Sequence, residues 1–296
     1  MGTLRGVEAS EFTEIDYAVT GGVALIRLNR PERRNAWGGR MSVEYRWALH
    51  LADTDPEVSV AVLTGEGPDF CVGAHRATLE DIDRQGGSYE REKLALPPVP
   101  EGVPAGLRHN HTIPLALSVP LIAAINGACA GAGFVLATYA DIRIGAADCK
   151  VATSFANLGL PAEYGIGWVL PRMLGTARAA QMLYSGARIS AEEALGLGWL
   201  QRVLPAGELL DGAVGYARTL ALHSSPESLR MMKRQIFVDA WGDLEDAYRR
   251  SVEDMNAAMT HRDFQEGVAA LRQRRAPVFI GGRSSPGSAG GEARDD

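Results

Sequence analysis

Cysteine is scarce in this 296-residue chain: there are three, Cys71, Cys129 and Cys149, an odd number with no C-x-x-C spacing. That argues against a disulfide-stapled secreted module and against a thiolate metal site, and leaves buried free thiols in a reducing compartment. No apolar run reaches the length of a membrane span, and the first ten residues lack the apolar core of a secretion signal. A cytoplasmic protein with no membrane partner is expected. Positive charge is not in excess, with 30 Lys and Arg against 36 Asp and Glu and a net charge of −6. No basic face for nucleic acid is therefore indicated. Also missing are a Walker lysine, a G-x-S-x-G elbow and an H-E-x-x-H pair. Phosphate-loop, serine-hydrolase and zinc-protease chemistry lose their main support, and no metal is expected.

What is present is apolar chain in quantity, 46% of residues, enough for one large core with a smaller satellite. Two β-branched runs, 15–19 and 23–29, are separated by Gly21-Gly22 and predict a hairpin. From Arg40 to Ala52 the residues Met41, Val43, Tyr45, Trp47, Ala48 and Leu51 fall roughly on one helical face, and a short buried strand follows at 58–63. This order predicts an α/β domain with largely parallel sheets. Between Asp83 and Pro104 charge, glycine and proline replace the periodic pattern, which reads as a long loop or lid. Beyond Thr176 helix signals dominate, among them 177–183, 207–222 and the capping-box sequence Ser190-Ala-Glu-Glu193. The boundaries that follow are a flexible N-terminus over 1–11, a core over 12–205, a helical region over 206–281 and a disordered tail over 282–296. His109 and His111, beside the loop, read as solvated.

One stretch stands out. Val119 to Gly133 runs Val-Pro-Leu-Ile-Ala-Ala-Ile-Asn-Gly-Ala-Cys-Ala-Gly-Ala-Gly and enters the apolar Phe134-Val-Leu-Ala137. It predicts a strand, a glycine-rich turn and a buried helix whose first amides lack intrahelical partners. Such donors hold a negative oxygen, so a nucleotide phosphate site, an oxyanion hole and plain tight packing compete. For a dinucleotide the spacing Gly127, Gly131, Gly133 is wrong and Asp141 comes too early. A second glycine-broken apolar run, Thr64-Gly-Glu-Gly67 into Phe70-Cys-Val-Gly-Ala74, precedes a helix start near Ala77. If the two turns face each other, two N–H groups converge on one carbonyl oxygen, the geometry an enolate or tetrahedral oxyanion needs.

Taken in order, these blocks resemble the enoyl-CoA hydratase/isomerase (crotonase) superfamily: Val23 to Pro31 with Arg34-Asn-Ala36, Phe70 to Ala74, Pro120 to Gly127 with Ala140-Asp-Ile-Arg143, Gly159-Leu-Pro161, Leu170-Pro-Arg172, and His261 to Ala270 with Arg275-Ala-Pro-Val-Phe279. The resemblance spans about residues 12 to 281. It implies a crotonase-type spiral of ββα units, a 12–205 core that binds acyl-CoA, and a helical C-terminal region that assembles a homotrimer or a dimer of trimers. Coenzyme A is implied as part of the substrate, with no permanently bound cofactor.

The family's oxyanion donors correspond to the backbone amides of Ala74 and Ala132. Its two hydratase glutamates correspond to Val135 and Phe155, neither of which moves a proton. Glu163, in Gly159-Leu-Pro-Ala-Glu163-Tyr-Gly-Ile-Gly-Trp168, lies where some isomerases of the family place a single acid, and is expected to act as base then acid. Read structurally, the same carboxylate caps the helix that follows. Phe155, Tyr164 and Trp168 are expected as walls around it. Gly131 and Ala36 are expected to contact substrate, as is Phe279, which with Arg275 resembles residues reaching the acyl-CoA site, sometimes from a neighbouring subunit. Arg34 and Arg76 are expected near coenzyme A phosphates, and His75 replaces a common aspartate and is expected to fix its loop or assist the chemistry. A double-bond shift in an enoyl-CoA fits one carboxylate best, and water addition is next. A thioester hydrolase or decarboxylase on the same oxyanion hole, or a non-catalytic acyl-CoA-binding relative, are the alternatives.

Overall fold

The structure, a computed structural model, describes residues 9–74, 80, 84, 95–239 and 242–279. The expectations for His75, Arg76, the helix start near Ala77, the tail 282–296 and loop 83–104 before residue 95, Arg84 excepted, fall outside the described residues.

Strands β1 (Ile15–Thr20) and β2 (Val23–Leu28) pair antiparallel about Gly21-Gly22. Both glycines take a positive φ, 57° and 78°, the geometry of the tight two-residue turn that matches strand twist. Helix α1 (Gly39–Thr54) follows. It buries Met41, Tyr45, Ala48, Leu49 and Ala52 at three- and four-residue spacing. Trp47 and Leu51, expected on that face, are only half-buried. Glu44, fully buried on α1, accepts from the amides of Thr13 and Glu14 and from Arg40 Nε at 2.6 Å, so its charge is paired and hydrogen-bonded.

Strand β3 (Val60–Gly65) is buried along its whole length, as is β4 (Leu121–Ile125). Continuous apolar strands of this kind belong in a parallel sheet covered on both faces. With β6 (Ile142–Ala146) and β9 (Arg202–Leu204) they complete a six-stranded sheet in the order β1-β2-β3-β4-β6-β9, parallel from β2 onward. A second sheet holds β5 (Ala128–Ala130), β7 (Lys150–Ala152) and β8 (Ile189–Ser190). A single parallel bridge, Cys71 to Cys129, extends it by one more segment. Helices α2 (Ala132–Thr138), α3 (Ile166–Leu174), α4 (Thr176–Ser185) and α5 (Ala191–Leu197) follow. Successive units thus give one strand to the large sheet and a short one to the small sheet, then a helix, which is the expected ββα spiral. Ser190 caps α5 through both bonds of the capping box.

The helical region expected from 206 divides. Its first helix, α6 (Leu209–His223), lies on β2, β3, β4 and β6 with Leu209, Ala213 and Ala217 buried, and so covers the core sheet. Helix α7 (Pro226–Phe237) is tied to the same sheet by buried Lys233, which donates to Val119 O at 2.8 Å and Asp141 Oδ2 at 2.7 Å. Asp141 Oδ2 also accepts from Leu121 N at 2.6 Å, so this carboxylate pins the start of β4. Helices α8 (Leu244–Thr260) and α9 (Arg262–Gln273) project apolar side chains into solvent. No helix among the described residues is long and apolar enough to cross a membrane.

Candidate active site

The two glycine-broken turns occupy equivalent places in consecutive units. Each leaves a strand of the large sheet, β3 or β4, makes a short pairing in the small sheet at Cys71 or Cys129, and enters a left-handed glycine followed by alanine. Both read Cys-x-Gly-Ala, and Gly73 and Gly131 have φ of 86° and 52°. That repeated tetrapeptide is the signal by which the sequence could have announced the pairing.

The turns are joined by a ladder of bonds. Asn126, at the end of β4, accepts from Gly65 N at 3.2 Å and donates to Gly67 O at 2.7 Å. Asp69 Oδ1 accepts from Ala128 N at 3.2 Å, Ala128 O accepts from Cys71 N at 3.1 Å, and Cys71 O accepts from Ala130 N at 3.0 Å. Gly127 and Gly133 have no room for a side chain, because a Cβ on either would collide with the carbonyl oxygen of Pro68 or Cys71. The close approach that a phosphate would need at these glycines is therefore already occupied by the neighbouring turn. A Cβ on Gly73 would lie 2.9 Å from Ala130 O and 3.4 Å from Ala132 N, so the ends of the two turns touch.

Ala132 is the first residue of α2, in right-handed conformation, so its methyl costs no left-handed strain; Gly131 absorbs the unusual φ. Gly131 N donates to Ala152 O at 3.2 Å, which orients the peptide before Ala132. Across the gap, Trp37 N donates to Gly73 O at 2.8 Å in a parallel bridge to Ala74. Neither the Ala74 nor the Ala132 amide has a backbone acceptor among the described residues. Two unsatisfied N–H groups at the ends of touching turns are able to stabilise one developing oxyanion.

Arg34, expected near phosphate, instead forks onto Asp69 with Nε to Oδ2 at 2.7 Å and Nη2 to Oδ1 at 3.0 Å. The guanidinium holds the Asp69 carboxyl below its usual range. Asn35, buried and left-handed, donates to Glu66 O and Asp69 O, while its Oδ1 accepts from Arg30 N. Arg34 and Asn35 therefore hold the first turn in shape, and Ala36 behind them is buried.

Val135 and Phe155 are fully enclosed, at 0% and 3% exposure. Glu163 sits half-buried in the segment before α3, and desolvation raises its pKa. Its carboxylate does not cap α3, whose N-cap is Gly165 with no side-chain bond. Tyr164 next to it has φ of 50°, an outlier for a bulky residue that costs about 1–3 kcal/mol. Tyr139 Oη donates to Tyr164 O at 2.6 Å, and the Tyr164 ring stacks on His111 at 3.8 Å. His111, read from sequence as solvated, is buried at 9% exposure between Tyr164 and Trp37, 5.8 Å from the latter. All three line a cleft of about 1230 Å³ that begins beside the Trp37–Ala74 bridge. Trp168, with Arg172 3.6 Å above its ring, lines a smaller adjoining pocket. Phe279 is half-buried and is not among the residues lining either space, and Arg275 is forked onto Glu266.

The sequence pattern of the enoyl-CoA hydratase/isomerase family matches residues 18–282. The chain belongs to this family. Among similar proteins are a Mycobacterium tuberculosis protein named as a probable enoyl-CoA hydratase, 33% identical over 87% of this chain and 89% of its own, and the 1,2-epoxyphenylacetyl-CoA isomerase of Escherichia coli, 33% identical over 89% and 97%. The crystal structure of an enoyl-CoA hydratase from Polaromonas superposes with a TM-score of 0.78 at 30% identity, over 90% of this chain and 99% of that one. Val135 and Phe155, expected from the resemblance at the places of the family's two glutamates, are core positions. Glu163 directly precedes the cleft-lining Tyr164, but neither it nor Ala74 or Ala132 is among the residues lining either space.

Proposed function

We propose that this enzyme moves a proton on an acyl-CoA thioester through an enolate, with the thioester oxygen between the amides of Ala74 and Ala132 and Glu163 as the single proton carrier. The observation that supports this reading is the contact of Gly73 with Gly131 and Ala132, next to two amides, those of Ala74 and Ala132, that have no backbone acceptor among the described residues. Loss of one such donor typically removes about 3 kcal/mol of transition-state stabilisation, so the pair accounts for much of the rate. A half-buried, partly desolvated carboxyl is favoured as a carrier because desolvation raises its pKa toward neutrality, where it accepts and returns a proton with little driving force lost.

With Val135 and Phe155 apolar, only one carboxylate serves both proton steps, and a shift of the double bond within an enoyl-CoA needs only one. Addition of water is the second reading. Coenzyme A enters as part of the substrate. The buried free thiols of Cys71, Cys129 and Cys149 fit a cytoplasmic setting. A homotrimer or dimer of trimers is supported by Leu244, Tyr248, Met255 and Met259 along one face of α8 and Phe264, Val268 and Leu271 along one face of α9, all exposed. Light scattering on the purified protein should give a trimer or hexamer mass, and a monomer would refute this assembly.

The decisive experiment incubates wild type and Glu163→Gln with 2-enoyl- and 3-enoyl-CoA and identifies products by mass and absorbance. A shifted double bond with wild type, reduced about 10²–10⁴-fold in the variant, is expected. Full activity in the variant overturns the single-carboxylate mechanism, and release of free coenzyme A would assign a hydrolase.

A further inference from the structure

The cleft has a wall of a particular kind. Trp37, His111 and Tyr164 come from three separate segments, yet their rings follow one another, the first pair tilted at 51° and the second stacked at 26°, and all three line the cleft. Tyr164 is held in a left-handed backbone that asparagine or glycine would adopt at less cost, and it directly follows Glu163. Strain retained at such a place points to a use for the ring. Among the described residues, Leu96 is the one aliphatic side chain lining this cleft. Beyond it, sharing Gly106, Thr112 and Gly165, lies a pocket of about 240 Å³ lined by Leu107, Leu115 and Val169 and flanked by Trp168.

We propose that the acyl slot is built for a compact planar acyl group, aromatic or conjugated, lying against the ring wall of Trp37, His111 and Tyr164. The inference rests on the thioester reading above and names the substrate class of that site. A flat π-system gains offset or edge contacts with such a wall beyond its area burial, whereas a flexible saturated chain gains burial alone and loses rotamer freedom on ordering. The adjoining pocket of about 240 Å³ gives a single ring room.

The test compares 3-phenylpropionyl-CoA with nonanoyl-CoA, equal in carbon number, by calorimetric titration of wild type, His111→Leu and Tyr164→Asn. Asparagine keeps the left-handed backbone and leucine keeps bulk, and unchanged affinity for free coenzyme A together with an unchanged circular dichroism spectrum establishes folding. Wild type should bind the aryl thioester about tenfold more tightly, and each variant should lose most of that preference while its nonanoyl-CoA affinity stays within about twofold. A wild type that prefers nonanoyl-CoA, or variants that weaken both ligands equally, overturns the proposal. Turnover of 4-phenyl-3-butenoyl-CoA, whose C2 hydrogens allow the double-bond shift, against 3-decenoyl-CoA separates the two readings: an aryl preference in binding with no turnover of either sustains the slot and refutes the enzymatic mechanism.

Discussion

Asp69 joins the two turns, and its replacement tests whether that joint positions the oxyanion donors. Asp69→Asn removes the charge that holds the Arg34 fork and leaves one oxygen to accept from both Arg34 and Ala128 N, which donate to two carboxylate oxygens in the wild type. A hydrogen bond to a charged group is worth about 1.5–3 kcal/mol, but Arg34 is 61% exposed, so solvent screens much of the fork. About 1–2 kcal/mol of stability should be lost, read as a lower midpoint in urea. The effect on rate is larger in proportion, because Ala128 opens the short strand that leads into Gly131 and Ala132. Misplacement by 1 Å costs on the order of 10²-fold in rate, so a smaller slip of Ala132 should lower kcat about tenfold with KM within about twofold. Arg34→Met, which leaves the Ala128 bond in place, should be milder. The same variants on a pantetheine thioester, which lacks the nucleotide phosphates, distinguish this role from a phosphate contact. A clamp lowers kcat for both substrates, whereas a phosphate contact raises KM for the coenzyme A ester alone. Wild-type kcat in Asp69→Asn would refute the reasoning.

Glu163 should show its raised pKa in two ways. As the base it must be ionised, so the acidic limb of kcat/KM should lie above the ordinary glutamate value of about 4.3. For stability the sign is opposite: the native state holds the proton more tightly than the unfolded chain, which favours the native state below the unfolded pKa and is lost as pH rises through the folded one. Glu163→Gln should therefore melt higher than wild type at neutral pH and show no such gain in acid; a variant that melts lower at neutral pH contradicts the desolvation. Lys233→Met leaves the largely enclosed Asp141, 13% exposed, without its cation and Val119 O without its donor. Breaking a buried pair in this way costs about 3–5 kcal/mol, and chemical denaturation showing under 1 kcal/mol would contradict it.

The hairpin, α1 and the α5 cap were legible because each rests on neighbours in sequence: Gly21-Gly22 for the turn, apolar spacing for α1, Ser190 and Glu193 for the cap. Trp47 and Leu51 were less so, since which flank of an amphipathic face turns fully inward depends on the sheet beneath it. His111 was misread for the same reason. Two histidines around an asparagine look solvated, and only the arrival of Tyr164 and Trp37 from distant segments buries one. Arg34 looked like a free cation because its partner lies 35 positions away. The placement of α6 on the core sheet was equally hidden, as Ala213 and Ala217 say that something packs closely but not what.

The glycine run shows why one motif supported three readings at once. Gly127 and Gly133 serve packing, since the neighbouring turn occupies the space a Cβ would need; Gly131 serves conformation through its positive φ; and Ala132 presents the amide. The readings were therefore shared out among adjacent residues. What turns packing into a site is the structural repeat, because Cys71-Val-Gly-Ala74 performs the same division of labour one unit earlier and is bridged in register to Cys129. Each turn by itself presents a single amide at the end of a short strand, which is too little to hold an enolate. Two in register are zipped by Asp69, Cys71 and Gly73, and in the proposed mechanism this backbone geometry fixes the separation of the donors and leaves the side chains facing the cleft free to set the substrate. Val135 and Phe155 fit that division, for apolar residues there keep the zipped turns dry, and in the proposed mechanism the proton chemistry falls to Glu163 on a separate segment.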